Sequence, residues 1–350
     1  MSKRNIAILI PAHNEAKVIQ KTIDAALLVV SKKDVYVVDD GSTDNTPNIA
    51  IVELGQNVIT ISTRGGKAEA MSAAFNYFNL INRYNYIMPI DADTVISVDF
   101  IKNTLPILKR DTKKQIACVV GKVMGVNHRW ITTYRVWEYE IAQSIHKHAQ
   151  SIEDAVIICP GCSTVYRSEI FKKIQIPTGT LTEDMDLTFL IHREKLGKIV
   201  YNGESKVITQ DPAYIKDYVK QLNRWYTGFW QCLIKHNIPW GGQMLDFEVG
   251  LIALEGLFNG ILVASLIFLI PFVLKINPLI LAIPAGVDFF LFMIPTVIYT
   301  GIKNKIYHIF LYIPFFYFLR FLSSLIFLYC FMKVVLSFDL KMTWYKAARY

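Results

Sequence analysis

Charged residues are scarce in the last third of this 350-residue sequence, although not in the rest of it. Asp, Glu, Lys and Arg make up 19% of the chain, and hydrophobic residues make up 53%. Residues 249–335 contain seven charged side chains, namely Glu255, Lys275, Asp288, Lys303, Lys305, Arg320 and Lys333. A disordered chain has the opposite composition, so that class is excluded. The sequence predicts a polar globular domain, followed by a lipid-compatible block and a short basic tail.

Cysteine is also rare. The five cysteines are an odd number and do not indicate a disulfide framework. Cys159 and Cys162 have a CxxC spacing, but no second cysteine pair completes a zinc site. The intervening Pro160-Gly161 favours a turn, so we expect neither zinc binding nor redox chemistry at this pair.

Long runs of Lys or Arg are absent, even though the net charge is +8. Scattered basic residues give nucleic-acid binding no support beyond the net charge itself. Because a lipid-compatible block follows, attraction to the anionic cytoplasmic leaflet of a membrane is the simpler interpretation.

The fingerprints of two large nucleotide-binding classes are missing as well. No GxGxxG occurs, and Arg64-Gly-Gly-Lys67 lacks both the earlier glycine and the following Ser or Thr of a P-loop. A nucleoside-triphosphate hydrolase or a dinucleotide enzyme is therefore disfavoured. The two glycines before Lys67 can still cradle a phosphate at the start of a helix.

The start of the sequence shows no secretory signal. The apolar run Ile6–Ala12 is short for a signal-peptide core, ends at His13 and lacks a cleavage signature. We therefore expect the first domain to remain on the cytoplasmic side of a membrane.

Short buried strands and helices alternate in the first hundred residues. Strands are predicted at Ile6–Ile10, Val35–Val38, Val58–Ser62 and Tyr86–Ile90, with helical spacing between them. This alternation predicts a parallel sheet with helices on both faces. Ligands of such sheets bind outside the carboxyl ends of the strands. The acidic pairs Asp39/Asp40 and Asp91/Asp93 follow two of the strands at those ends.

Three long apolar runs occupy residues 249–274, 278–302 and 306–332. Each exceeds the roughly 20 residues that cross a bilayer as a helix. The loop 303–308 and the tail are basic, so both are expected on the cytoplasmic side, and the first two runs form a hairpin. The third run, which contains Pro314 and Arg320, must then be re-entrant, interfacial or bent. Asp288 in the second run is either a functional group or, as we favour, a polar contact between helices.

Two acidic motifs are candidates for chemistry. Asp91-Ala-Asp93 follows a strand and can present hard oxygen ligands to Mg²⁺ or Mn²⁺, although Asp93 or Thr94 can equally cap a helix. Thr182-Glu183-Asp184 opens a helical segment, where acidic residues are also favoured by the helix dipole alone. Neither motif by itself decides between these alternatives.

An aromatic, polar segment follows at Gln221-Leu-Asn-Arg224-Trp225. Its aromatic neighbours are more typical of a packed core or a membrane interface than of a sugar site. Arg224 is the more specific residue, because a planar guanidinium suits bidentate contact with phosphate.

The order of these motifs resembles the family 2 glycosyltransferases, and within them the processive membrane synthases of cellulose, chitin, hyaluronan and poly-N-acetylglucosamine. The resemblance is carried, in chain order, by IPAHNE (10–15), DDGSTD (39–44), RGGKAEAM (64–71), DAD (91–93), VWEYEI (136–141), CPGCSTVYR (159–167), TED (182–184), QLNRW (221–225) and TWYKAAR (343–349). The segments 136–141 and 159–167 look most similar to chitin and hyaluronan synthases. The tail, residues 343–349, is similar to the gating segment of these synthases, with Ala347 at a position where Thr is usual.

The resemblance implies a role for each matching residue. A donor nucleotide pocket is implied for Ala12, Asn14, Glu15, Asp39, Asp40, Lys67, Asp91, Gln221 and Arg224. Asp184 is implied as the catalytic base, with Glu183 beside it, and Asp93 as the metal ligand with Asp91, for Mg²⁺ or Mn²⁺. An acceptor site is implied for Trp225, Cys162 and Ser163, and gating for Trp344 and Arg349.

The expected fold class is therefore an α/β domain of the GT-A type with a mainly parallel sheet, followed by a helical membrane region. Expected bounds are 1–211 for the cytoplasmic domain, 212–248 for interfacial helices, 249–335 for the membrane region and 336–350 for the tail. The resemblance implies an inverting transferase, multi-pass in the cell membrane, that adds N-acetylglucosamine or glucose from a UDP-sugar to a growing β-linked glycan.

Alternatives are single-sugar transfer to a polyprenyl phosphate and a non-catalytic partner of a synthase. The compared synthases usually have membrane helices before the catalytic domain, and this sequence has none. Membrane lipids and the glycan acceptor are expected partners, a homo-oligomer or a partner membrane subunit is a further expectation, and nucleic acid is not one.

Overall fold

The computed structural model describes residues 3–126 and 128–336 of the chain. Within those residues the strands are β1 (Arg4–Ala12), β2 (Val35–Asp40), β3 (Val58–Ile61), β4 (Tyr84–Pro89), β5 (Val95–Ile96), β6 (Ile116–Gly125), β7 (Thr164–Arg167) and β8 (Lys198–Thr209). The expected gating residues Trp344 and Arg349 lie outside the described part of the chain.

The α-helices of the same described residues are numbered in chain order. Those of the first domain are α1 (Ile19–Val29), α2 (Thr46–Leu54), α3 (Lys67–Tyr77), α4 (Leu80–Arg83), α5 (Phe100–Arg110), α6 (Trp130–Ile141), α7 (Lys147–Ile152), α8 (Ile170–Lys173) and α9 (Glu183–Arg193). They are followed by α10 (Ile215–Lys235), α11 (Met244–Ile276), α12 (Leu279–Val287), α13 (Ile294–Lys303) and α14 (Ile313–Phe331).

The strands form one sheet in the order β3-β2-β1-β4-β7-β6-β8-β5. Strands β1 to β4 pair in parallel, as the strand–helix alternation predicts. The second half is mixed, because β7 runs antiparallel to both β4 and β6, whereas β6 and β8 are parallel. Ala12 is in register with Asp39, so the carboxyl ends of β1 and β2 meet at one edge.

Two of the hydrophobic cores cover the two faces of this sheet. Ile8 and Val37 point into one core, whereas Leu9 and Val38 point into the other, since successive side chains of a strand alternate between faces. Their β-branched side chains fill both cores and favour the extended backbone. The sheet is therefore covered on both faces.

A third core joins the α/β domain to the apolar helices. Helix α6 contributes much of it: the Trp137 indole N–H donates to Thr296 Oγ1 at 3.0 Å, and the rings of Tyr134 and Phe316 lie 5.3 Å apart. From the sequence, we expect only residues 212–248 to lie between the domain and the apolar helices. In the structure, α6 also packs against the apolar helices.

Helix α14 packs along α10. The hydroxyls of Ser323 and Tyr226 are 2.5 Å apart, and Phe327 contacts the rings of α10. A Cβ atom at Gly256 of α11 would lie 2.5 Å from the Phe327 ring, so this glycine permits the close approach of α11 and α14. The third apolar run, which contains α14, therefore packs against helix α10.

Among the described residues, three helical stretches are long and apolar enough to cross a membrane: Met244–Leu266, Leu279–Lys303 and Tyr307–Leu336. Asp288 of the second stretch pairs with Arg320 of the third through two 2.9 Å contacts. Tyr317 also donates to the Asp288 carboxylate, at 2.6 Å. The interpretation of Asp288 as a polar contact between helices is confirmed.

Glu140 of α6 joins the domain to the end of α13. Its carboxylate lies 2.7 Å from the Lys122 ammonium on β6 and 2.6 Å from that of Lys303. Burial alone would raise the pKa of Glu140, but the hydrogen bonds from these two lysines lower it to about 2. The carboxylate therefore stays charged and pairs with two ammonium groups, one of them at the end of α13.

Replacing Glu140 with glutamine is expected to destabilise the protein by about 3 kcal/mol, because it leaves the buried Lys122 ammonium without a counter-charge. Thermal unfolding in detergent measures the loss. The matched control is Glu169→Gln, whose pair with Lys114 at 2.6 Å is exposed and worth less than about 1 kcal/mol. Equal melting temperatures for the two variants would contradict this role of Glu140.

Candidate active site

The loops after β1 and β2 are tied together by Asn14. Its backbone has the left-handed φ of 55°, and its side-chain oxygen accepts the backbone N–H of Thr43 at 2.7 Å. The backbone N–H of Glu15 donates to Thr46 Oγ1 at 2.7 Å. Of the predicted pocket residues, Asn14 and Glu15 thus fix the loop geometry at the strand ends, and Ala12 is the buried last residue of β1.

The two aspartates at the end of β2 are in different surroundings. Asp40 accepts the backbone N–H groups of Gly65 and Gly66 at 2.8 and 2.9 Å, and so holds the loop before α3. Asp39 is fully buried, and its Oδ1 makes no hydrogen bond to any residue that the structure describes. A buried carboxylate oxygen of this kind is costly unless a donor reaches it. Asp39 therefore keeps one acceptor oxygen at the end of β2 that the described residues leave unsatisfied.

Lys67 connects two distant acidic motifs. Its ammonium lies 2.5 Å from Asp91 Oδ1 and 3.2 Å from Glu183 Oε1. Burial alone would lower the pKa of Lys67, but the pairs with Asp91 and Glu183 raise it above its usual value. The Lys67 ammonium, at the start of α3, therefore contacts residues at the end of β4 and at the start of α9. The order of the motifs predicts that these segments lie close together.

The CPGC turn lies against the same ammonium. A Cβ atom at Gly161 would be 2.5 Å from Lys67 Nζ, so the turn approaches the lysine closely. Cys162 is buried, and burial raises the pKa of its thiol. Ser163 is fully buried and donates to the Gly121 carbonyl at 3.2 Å, so its hydroxyl braces the turn from within.

The cysteine geometry does not favour zinc. The sulfur nearest to Cys159 is that of Cys118, at 3.6 Å, and both thiols are buried. No cluster of three or more His, Cys, Asp or Glu side chains suited to a metal occurs among residues 3–126 and 128–336.

Asp184 lies in the first turn of α9 and is partly buried. Burial raises the pKa of Asp184 to about 6, and the Glu183 carboxylate adds to the shift. The positive charges of Lys67 and Arg224 act in the opposite direction. The Thr182 side chain makes no capping hydrogen bond to α9, but Glu183 and Asp184 lie in its first turn, where the helix dipole also favours acidic residues. A carboxyl group with a raised pKa is better suited to accept a proton near neutral pH, as a general base does.

Helix α10 packs directly against the loop that precedes Asp184. A Cβ atom at Gly228 would lie 2.4 Å from Thr182 Oγ1, and the Leu181 N–H donates to Gln231 Oε1 at 2.9 Å. The helix that carries Arg224 therefore also holds the segment that carries the base.

Gln221 and Trp225 lie on a face of α10 that contacts a residue the sequence analysis missed. The buried Arg135 of α6 donates to the Gln221 side-chain oxygen and stacks on Trp225, with its Cζ 4.7 Å from the ring centroid. A charged residue within the aromatic segment 130–139, three positions before Glu138, is the signal that could have identified it.

Asp91 and Asp93 fit the predicted metal role by their chemistry. Thr94 N–H donates to the Asp91 carbonyl at 3.0 Å, and strand β5 follows at Val95, so Asp93 does not cap a helix. Mg²⁺ in nucleotide sites is commonly held by one or two carboxylates plus the phosphates of the substrate. Two carboxylates after β4 are a sufficient protein donor set for that arrangement.

Fold and site together define an α/β domain that is joined to apolar helices, with its candidate site at the carboxyl ends of a parallel half-sheet. Residues 7–175 match the family model described as Glycosyl transferase family 2, and the chain carries a domain of this family. The family expected from the motif order is thereby confirmed.

Two curated relatives are polysaccharide synthases. The chain is 27% identical over 237 residues to poly-beta-1,6-N-acetyl-D-glucosamine synthase of Staphylococcus epidermidis, covering 66% of this chain and 56% of that protein. It is 26% identical over 249 residues to hyaluronan synthase of Streptococcus pyogenes, covering 65% and 57%. The chain thus spans a little over half the length of these relatives.

A solved structure shares the fold over nearly the whole chain. The mannosyltransferase PcManGT of Pyrobaculum calidifontis, in complex with GDP-Man and Mn²⁺, superposes with a TM-score of 0.60 over 94% of this chain and 88% of that one, at 16% identity. The expected fold class, a GT-A-type domain followed by apolar helices, is confirmed.

Proposed function

We propose that this chain is a membrane-bound inverting glycosyltransferase. It transfers N-acetylglucosamine or glucose from a UDP-sugar to a growing β-linked glycan, using Mg²⁺ or Mn²⁺, and adds sugars processively. Helices α11 to α14 anchor it in the cell membrane, with the catalytic domain on the cytoplasmic side. The family, the two synthase relatives and the third hydrophobic core support this proposal.

One observation carries the proposal: the Lys67 ammonium contacts both Asp91 and Glu183. These carboxylates are 92 residues apart in the chain, yet one cation joins them. The contact places the start of α9, and with it Asp184, beside the DAD motif. This proximity supports the proposal that Asp184 acts as a base beside the bound diphosphate, as sugar transfer requires.

The uridine fits the buried end of β2. Asp39 Oδ1 has no hydrogen-bond partner among the described residues. The imide N–H of uracil is a donor that satisfies such an oxygen. Asp40 meanwhile holds the Gly65–Gly66 loop directly before Lys67.

Inversion needs one base and charge neutralisation at the leaving diphosphate. In the proposed reaction, Asp184 takes the proton of the acceptor hydroxyl while that oxygen attacks the anomeric carbon. Lys67 and Arg224 stabilise the negative charge that develops on the departing UDP. A divalent cation held by Asp93 and Asp91 would supply further charge neutralisation there. Trp225 offers an aromatic face to the acceptor sugar.

The proposal is tested with purified full-length protein in nanodiscs, supplied in turn with UDP-N-acetylglucosamine, UDP-glucose and GDP-mannose. We expect nucleotide release from at least one UDP-sugar, dependent on Mg²⁺ or Mn²⁺, and a radiolabelled polymer as product. A single sugar that is extractable into organic solvent would instead indicate transfer to a lipid phosphate. No nucleotide release with any donor and either metal would contradict catalysis.

The same assay in sealed vesicles tests the orientation. Inverted vesicles expose the cytoplasmic face, so they should use added UDP-sugar without detergent, whereas right-side-out vesicles should not. Activity in right-side-out vesicles would contradict the cytoplasmic placement of the catalytic domain.

A further inference from the structure

Arg135 is a buried cation that the proposed reaction does not use. It lies on α6, its side chain is 1% exposed, and it is among the largest fully buried side chains of the described chain. Removing a guanidinium from water costs several kcal/mol unless its partners are well placed. The identity of those partners therefore indicates what the residue does.

Most partners of Arg135 lie on one face of α10. One terminal N–H donates to the side-chain oxygen of Gln221. The guanidinium carbon is 4.7 Å from the centroid of the Trp225 ring and 4.8 Å from that of Tyr218. Positions 218, 221 and 225 recur at helical spacing, so a single side chain contacts two turns of α10.

The remaining contacts hold the guanidinium itself in place. Glu138, three residues along α6, pairs with the other terminal nitrogen. The Nε atom is buried and makes no hydrogen bond to any described residue. A buried charge that is only partly satisfied is weak evidence for a purely stabilising role. The contact with Gln221 and Trp225 is a better reason for keeping an arginine here.

The hydrogen bond to Gln221 also sets the direction of its amide. A glutamine side chain has one oxygen, which accepts, and one NH₂ group, which donates. Because Arg135 donates to the oxygen, the NH₂ group is the end that stays available to a ligand. A diphosphate is negatively charged and needs a donor, whereas the flipped amide would present an oxygen to it.

We propose that Arg135 is a positioning residue, which orients the Gln221 amide toward the diphosphate and fixes the Trp225 ring toward the acceptor. This inference rests on the proposed function. Arg135 acts through α10 and does not touch the substrate. Lysine cannot replace it, because an ammonium lacks the planar fork that donates to Gln221 and Glu138 while stacking on two rings.

The test compares Arg135→Lys with wild type as full-length protein in nanodiscs, using UDP titration by calorimetry. We expect Arg135→Lys to weaken UDP binding about tenfold, the cost of one misdirected hydrogen bond to a charged group. The matched control is Arg167→Lys, another buried arginine, which donates to the carbonyls of Leu108 and Ile116 far along the chain from α10. That control should lose stability but keep the wild-type affinity for UDP.

A double-mutant cycle separates positioning from general packing. If Arg135 acts through Gln221, then Arg135→Lys should change UDP affinity by less than about twofold in a Gln221→Ala background. An undiminished tenfold loss in that background would overturn the assignment, and so would wild-type affinity in Arg135→Lys itself. Wild-type protein that fails to bind UDP at all would overturn the proposed function, which is a different result from either of these.

Discussion

Asp184→Asn should abolish sugar transfer while UDP binding survives. Asparagine has nearly the same size and keeps its place at the start of α9, but it cannot accept the proton of the acceptor hydroxyl. General-base catalysis contributes up to about ten-thousandfold to a rate, so we expect kcat to fall about a thousandfold or more. Nucleotide release and UDP calorimetry on the same preparation measure the two quantities. Full activity in the variant would remove the base assignment.

The pH dependence gives a second measure of the same group. Burial raises the pKa of Asp184 to about 6, so its carboxylate forms as the pH rises through about 6. Only the deprotonated form acts as a base, and kcat/KM should therefore decline below that pH. Glu183→Gln removes the adjacent negative charge that helps to raise this pKa. The acidic limb of the profile should then move to lower pH, whereas loss of all activity in Glu183→Gln alone would indicate that Glu183 is the base.

The strand ends could be predicted because they depend on local pattern. Buried strands followed by Asp39 and by Asp91 are visible in the sequence, and parallel pairing then brings their ends to one edge. The second half of the sheet could not be predicted in this way. Strand β7 has four residues and pairs antiparallel on both sides, so its place depends on long-range packing.

The contacts of individual residues could not be predicted from the sequence, for a different reason. The motif order resembles a family and so predicts that Lys67, Asp91 and Asp184 belong to one site, but only coordinates show that Lys67 also pairs with Glu183. Arg135 matched no motif at all. Its local pair with Glu138 is visible in the sequence, but Gln221 and Trp225 lie 86 and 90 residues away on another helix, and no local spacing reveals those contacts.

Replacing Asp93 with asparagine should cause a comparably large loss, through the metal. Asp93 is nearly buried at the end of β4, two residues beyond the Asp91 that already neutralises Lys67. In the proposed site, Asp93 holds the metal together with Asp91 and contributes its negative charge. Asparagine keeps an oxygen but loses that charge. We expect kcat to fall about a thousandfold, because metal neutralisation of a leaving group is worth several kcal/mol.

Manganese titration distinguishes a metal ligand from a residue that only shapes the site. Mn²⁺ binding to the full-length protein with UDP, followed by electron paramagnetic resonance, should weaken strongly in Asp93→Asn. The control is Asp99→Asn, whose exposed carboxylate lies 3.6 Å from Lys102 and should not alter Mn²⁺ binding or transfer. Chelation of divalent cations should reduce the wild-type rate to that of Asp93→Asn and leave the variant unchanged. If wild-type transfer persisted in a chelator, the two aspartates after β4 would serve the diphosphate through hydrogen-bonded water or through Lys67 alone, and the proposed metal would have no part in the reaction.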